Sequence, residues 1–351
     1  MSRNNLGSSG TARAFDQRGG QFSLGLVQTK FNYVNKNSEV VVDLAFGPNA
    51  DLGNYGNLVG PLGTSTSLAI KQAYFNYKAT DKLTFTMGQF GTHIGYEVID
   101  APVNYNYSLS NLFNNGPFYH IGVKANYAFS DKVSLMAGVV NNVDNLNDNN
   151  RSKGIISQLF VSPANGWNVY LNWIGSNEAA PGAKGNAPSG SYYSLFDLTT
   201  TYQVTDKLFF GLNAASGSQK GDFQSVASPS EKAATWGGAA LYANYAVNSN
   251  IGFGVRIEHF DNTSGVRGLV NKYAIDSLTT GSRGTSVNSI TFTSNITLAD
   301  GHLILKPEFR IDMFKKFKGE DDEDRQQFEN SEGVFTKDSQ STIGLAAIYK
   351  F

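Results

Sequence analysis

The side chains able to do chemistry in this chain are charges spaced two apart. Lys306, Glu308, Arg310 and Asp312 alternate with Leu305, Pro307, Phe309, Ile311 and Met313, and Arg256 and Glu258 alternate with Val255 and Ile257. In an extended chain that spacing puts each set of charges on one face. Lys124 takes the same place in residues 118–129, alongside His120, Gly122 and Asn126. Opposite charges at neighbouring positions make a wet wall of modest charge selectivity, suited to passing polar solutes rather than to making bonds. The alternative is that they pair with one another and hold the shape of the sheet. No Ser–His pair for nucleophilic catalysis presents itself. His93, His120, His259 and His302 lack metal-ligand spacing. The absence of cysteine removes disulfides and thiolate metal sites. The acidic run 319–324 lacks the glycine-punctuated spacing of a calcium loop and reads as a solvated external loop. A net charge of −1, without a phosphate-binding glycine loop or a basic patch interleaved with aromatics, gives no reason to expect nucleic acid. No catalytic residue, metal or cofactor is expected.

The elements that carry these charges are strands. Alternation with period two recurs from residue 22 to the end, and no stretch has a helical period. The predicted strands are 22–34, 39–47, 68–79, 83–90, 118–129, 133–143, 155–161 and 167–174. They continue with 192–204, 208–215, 235–247, 251–260, 288–298, 303–313 and 341–351. Between them, tight turns such as 80–82, 130–132 and 205–207 alternate with long polar loops such as 48–67, 91–117, 175–191 and 261–287. Strict short–long alternation puts every tight turn on one side of a sheet and every long loop on the other. That is the layout of an outer-membrane barrel, and sandwiches and propellers do not sort their loops so cleanly.

Composition agrees. Charged residues are 16% of the chain against a usual ~25%, while Tyr (17), Phe (24) and Gly (37) are abundant. No apolar run of 18 residues exists to form a membrane helix. In a membrane barrel the apolar faces meet lipid and the charges line the lumen. A Lys or Arg turned to lipid at the midplane costs ~2–4 kcal/mol, so the register of 303–313 is strongly specified. The last strand, STIGLAAIYKF, presents Ile343, Leu345, Ala347, Tyr349 and Phe351 on one face and ends on an aromatic. This ending resembles the C-terminal assembly signal of Gram-negative outer-membrane β-barrels, although Ala347 fills a slot that is usually larger.

Residues 91–117 are too apolar and aromatic for a loop that only meets water. Ile94, Tyr96, Val98, Ile99, Leu109, Leu112 and Phe113 need a surface to pack on. We expect a constriction folded into the mouth, built from Glu97, Asp100, Tyr105 and Tyr107, with Glu97 and Asp100 towards the water path; packing on the outer rim is the alternative. MGQFGTHIGYE from Met87, then NYNYSLSNLF and GPFYHIGVKANYAF, are similar to the hallmark region of the OmpL-like β-barrel porin family. The motif covers about 88–129, the coarse layout most of the chain. The resemblance implies a passive channel for small hydrophilic solutes and leaves the solute unassigned.

The expectation is therefore an all-β, transmembrane, antiparallel up-and-down β-barrel of ~16 strands. Fifteen strands are visible, and the parity of turns puts the first upstream of Met1. Residues 1–21 then end an external loop and 22–351 form one barrel domain. The expected function is an outer-membrane porin with Lys124, Arg256, Glu258, Lys306, Glu308, Arg310 and Asp312 lining the pore. Its partners are outer-membrane lipid, lipopolysaccharide, small polar solutes and other outer-membrane proteins. An occluded barrel serving as a scaffold in an outer-membrane complex is the alternative, and a barrel-borne lipid hydrolase ranks third.

Overall fold

The structure, a computed structural model, describes the chain except residues 1, 5–12, 14, 16–18, 54–68, 142, 149, 179–190, 222–229, 270–283, 319–323, 331 and 333. A short strand, β1 (Ser2–Asn4), opens the chain. The antiparallel meander follows with β2 (Val27–Asn35), β3 (Ser38–Phe46), β4 (Ile70–Lys78), β5 (Leu83–Gly91), β6 (Tyr119–Ser130), β7 (Val133–Val140) and β8 (Gly154–Ala164). It continues through β9 (Trp167–Ser176), β10 (Tyr192–Gln203), β11 (Leu208–Gly221), β12 (Ser230–Ala246), β13 (Ile251–Asp261), β14 (Ser286–Leu298) and β15 (Leu303–Phe314). Small ribbons β16 (Phe317–Lys318) with β17 (Asp324–Arg325), and β18 (Phe328–Glu329) with β19 (Phe335–Lys337), lie in the last long connection before β20 (Ser339–Tyr349). Each strand from β2 to β15 pairs with the next in sequence, β15 pairs with β20, and β20 pairs with β1, giving one 16-stranded sheet.

Each of the fifteen expected strands is present, with ends moved by a few residues. The largest changes are β2, which starts at Val27 rather than residue 22, β11, which runs on to Gly221, and β12, which starts at Ser230 rather than residue 235. Two short helices were not anticipated: α1 (Pro48–Gly53) and α2 (Asn111–Asn115). The segment read as the end of an external loop also differs. Ser2–Asn4 pairs with Thr342–Gly344 of β20, and Arg13 lies in the interior against Asp312. The acidic run 319–323 lies outside the described residues, and Asp324 belongs to β17.

Burial shows which solvent this sheet was built for. Along β15 the apolar Phe309 is 48% exposed while Arg310 is 1% exposed. Along β13 Ile257 is 53% exposed and Arg256 0%. A soluble sheet hides its apolar face and wets its charges, and here the order is reversed. The exposed apolar face is the one that acyl chains cover, and a closed antiparallel sheet is the strand architecture that leaves no backbone group unsatisfied in hydrocarbon. Exposed aromatics, among them Tyr77, Phe85, Tyr127, Trp167, Tyr202 and Phe210, gather beside the tight turns, as a belt at the headgroup level requires.

Candidate functional site: a charged wall clamped by an inward loop

The connection between β5 and β6 turns into the lumen and runs round its wall. His93 meets the Trp173 carbonyl at 3.0 Å, and the Gly95 N–H donates to Asp197 at 3.0 Å. Tyr96 stacks on Tyr242 with centroids 4.2 Å apart. It fits because β11 offers Gly211 there, where an added Cβ would lie 2.8 Å from the Tyr96 ring. Further along, Asp100 binds Lys71 of β4 at 2.5 Å, while the carbonyls of Ala101 and Asn104 accept from Lys306 of β15. A loop that touches β4, β9, β10, β12 and β15 in so few residues is surrounded by the sheet.

The charges singled out from β13 and β15 form the bed of this loop. Arg256 donates to Glu97 at 2.5 Å and to the Ser108 carbonyl at 2.6 Å. Glu258 accepts from the Leu112 N–H at 2.9 Å and the Asn111 amide at 3.0 Å. Glu308 accepts from the N–H groups of Tyr107 and Ser108 at 2.7 and 3.0 Å and from the Thr293 hydroxyl. Arg310 donates to the Leu109 carbonyl at 2.7 Å and to Asp312 at 2.8 Å, and Asp312 also holds Arg13 at 2.7 Å. Ser110 caps α2 by accepting from the Phe113 N–H, and its own N–H donates to Glu97. Charge-assisted bonds of this kind are the strong ones in a low-dielectric interior.

The expected site residues therefore divide. Arg256, Glu258, Lys306, Arg310 and Asp312 face the lumen side but are buried under the loop, and Glu308 is half-buried there. Glu97, expected towards the water path, is also buried, held in an ion pair with the Arg256 guanidinium. Asp100 and Lys71 remain about one-quarter and one-fifth exposed. Tyr105 is 43% exposed and lies against Phe209 at 6.1 Å, with its carbonyl accepting from Asn295. The Tyr107 hydroxyl packs close to Gly25, 3.2 Å from where a Cβ there would stand. Lys124 stands apart: it is half-buried on β6, with its ammonium 4.3 Å from the Phe90 ring centre, and forms no ion pair among the described residues.

Several functional groups were missed. Asp197 gathers Asn172, Asn213 and the Gly95 N–H, and Asp43 accepts from Gln28 at 2.9 Å and lies 3.3 Å from Lys71. Each is flanked in sequence by apolar residues, Val42 and Leu44 or Phe196 and Leu198, and has the lumen parity of its strand, a signal available from alternation. On the external side Asp144 accepts from the N–H groups of Phe118 and Tyr119, and Glu178 accepts from the Val143 N–H. Burial raises each of these carboxyls to about 7. No sequence signal marks them, because their burial is created by loops meeting. Around them the external half of the lumen carries a packed apolar cluster that includes Leu112, Val143, Ile174, Leu195, Trp236 and Leu269. Among the described residues no group of three His, Cys, Asp or Glu converges to hold a metal ion.

A barrel with an apolar outside, a polar inside and a loop folded into its lumen defines the porin class. The chain belongs to the family described as "Putative beta-barrel porin-2, OmpL-like", which matches residues 1–351. It is an outer-membrane porin of that family. Comparison with curated protein sequences finds no match. Among solved structures, the outer membrane channel DcaP of Acinetobacter baumannii is similar with a TM-score of 0.56 at 11% identity, covering 100% of this chain and 94% of that one. OmpT of Vibrio cholerae in its trimer form gives 0.55 at 12% identity over 100% and 96%. An anion-selective porin from Comamonas acidovorans gives 0.54 at 11% over 97% and 91%. At these identities the likeness establishes the fold.

Proposed function

We propose that this porin lets small hydrophilic solutes diffuse passively through an aperture left beside the clamped loop. On this reading Lys124, Lys71 and Asp100 carry the charge that solutes meet. Arg256, Glu258, Lys306, Glu308, Arg310 and Asp312 act indirectly, by fixing where the loop lies. Glu97, Asp100, Tyr105 and Tyr107 form the constriction. The observation that carries the proposal is the contrast between loop residues 97 and 100. Glu97 is locked against a buried Arg256, while Asp100 stays partly exposed on the opposite wall. The family is one of channels, and no enzymatic role is assigned. Outer-membrane lipid and lipopolysaccharide surround the barrel.

A second reading rests on the apolar cluster in the external half of the lumen. It makes the barrel an occluded scaffold within an outer-membrane complex. Single-channel recording in planar bilayers separates the two. Steady ohmic steps in potassium chloride, with cation-to-anion preference shifted towards cations by Lys124→Glu, are expected of the diffusion channel. A folded barrel that inserts and stays silent supports the scaffold.

A further inference from the structure

Resting on the diffusion reading, we propose that the lumen selects small solutes that combine a ring with a carboxylate. The side of the sheet that faces the water path is not uniformly polar. Phe160 and Tyr170 are direct cross-strand partners on β8 and β9, with ring centroids 4.9 Å apart. They share the face of Gln158 and Asn172, which meet each other and the inward loop, so this pair looks into the lumen and not at lipid. Phe209 on β11 shares the face of Gly211 and Asn213 and stacks with Tyr105 of the loop at 27° between planes. The loop tip adds Val98 and Val103, of which Val103 is 70% exposed.

Apolar side chains on the lipid face need no explanation, but these sit inside, where no acyl chain reaches. Phe160, Tyr170 and Phe209 are only half-buried. Aromatic faces left open to water in a conduit are surfaces that a passing ring covers by offset stacking. Charge then decides which ring-bearing solutes gain most. Across β3 to β6 the lumen carries Asn76, which donates to Glu39 and accepts from Thr86, and beside Thr86 stands Lys124, with no carboxylate partner among the described residues. Its ammonium is the group left to meet an anion. Open aromatic faces on β8, β9 and β11 and an unneutralised lysine on β6 of the same lumen suit a ring bearing one carboxylate better than a sugar, an amino acid or an inorganic ion.

Benzoate is the probe, and acetate matches its charge without the ring. Current through single barrels in potassium chloride is recorded while each is added to one side. Benzoate is expected to reduce the current with a saturating concentration dependence, and acetate to act linearly and weakly. Tyr170→Ala and Phe160→Ala, each normalised to its own chloride conductance, are expected to raise the half-blocking benzoate concentration by roughly 3- to 10-fold. Tyr170→Phe, which keeps the ring, is expected to restore it. Lys124→Gln is expected to make benzoate no better than neutral benzamide. An open channel that treats benzoate and acetate alike, or is unmoved by Tyr170→Ala, overturns this inference alone. A folded barrel silent in chloride overturns the diffusion reading and this inference with it.

Discussion

At the scale of single residues, the interior is organised by charges that never meet bulk water. Arg256 is surrounded by the carboxylates of Glu97 and Glu258 and by the Ser108 carbonyl. Removing one member of such a buried set leaves the others uncompensated, at a cost of about 3–5 kcal/mol. Arg256→Ala is expected to lower the unfolding free energy in detergent by that order, read from the shift of the denaturant midpoint, and to raise conductance, because the loop loses its main clamp. Glu97→Gln is expected to do less, since its amide oxygen still accepts from Ser110. Conductance unchanged in Arg256→Ala would mean that the loop does not restrict flow.

The external carboxyls make a separate prediction. Asp144 and Glu178 are raised to about 7 by burial, with Arg267 acting against the rise and Asp148 adding to it at Glu178. Tyr193 and Tyr119 are the other titratable groups beside them. The folded state thus holds these protons more tightly than the unfolded chain, whose carboxyls titrate near 4. Their contribution to stability is complete below about pH 4 and is lost as pH rises through about 7. Amide exchange at Phe118, Tyr119 and Val143, the donors to these carboxyls, is expected to quicken between pH 6 and pH 8 beyond its intrinsic base catalysis. Asp144→Asn with Glu178→Gln is expected to flatten the excess, and an excess that persists in that double variant would assign it elsewhere.

At the scale of elements, the loop between β5 and β6 is held by side chains on some strands and by missing side chains on others. Gly211 is the clearest case, since the Tyr96 ring occupies the space of its Cβ. Gly88, at φ 127°, lies opposite Gly122, and a Cβ there would stand 2.3 Å from the Ala73 carbonyl oxygen. The two glycines predict different outcomes. Gly211→Val is expected to displace Tyr96 and change conductance while the barrel still folds, seen as a retained heat-modifiable band. Gly88→Val is expected to weaken the pairing of β4 with β5 and lower the temperature at which that band is lost. Legibility splits at the same scale. The strands could be read because side-chain direction alternates whatever the neighbours are. The helix α2, the inward course of residues 92–117 and the burial of Glu97 depend on what stands opposite, and Glu97 carries no local mark that distinguishes it from Asp100.

At the scale of the whole molecule, the inverted burial is what makes this a membrane protein. Ile257 and Phe309 face outward on the same strands whose Arg256 and Arg310 are enclosed. Ile257→Lys puts a charge into that outer face. It is expected to destabilise the barrel by about 2–4 kcal/mol if the position sits at the bilayer midplane, and by less towards either interface. Reversible unfolding from lipid vesicles measures this, and a neutral result would remove residue 257 from contact with acyl chains.

The amino-acid sequence by itself determined the strands, their order, the side on which the long loops gather and the face that meets lipid. All of these follow from period-two alternation and from turn residues, which act over a few positions. The tertiary structure alone decided which lumen charges are spent on holding a loop and which remain for solutes. Residues 97 and 256, 100 and 71, and 112 and 258 are brought within hydrogen-bond reach only when the sheet curls round the loop, and whether a charge is wet or dry depends on that enclosure.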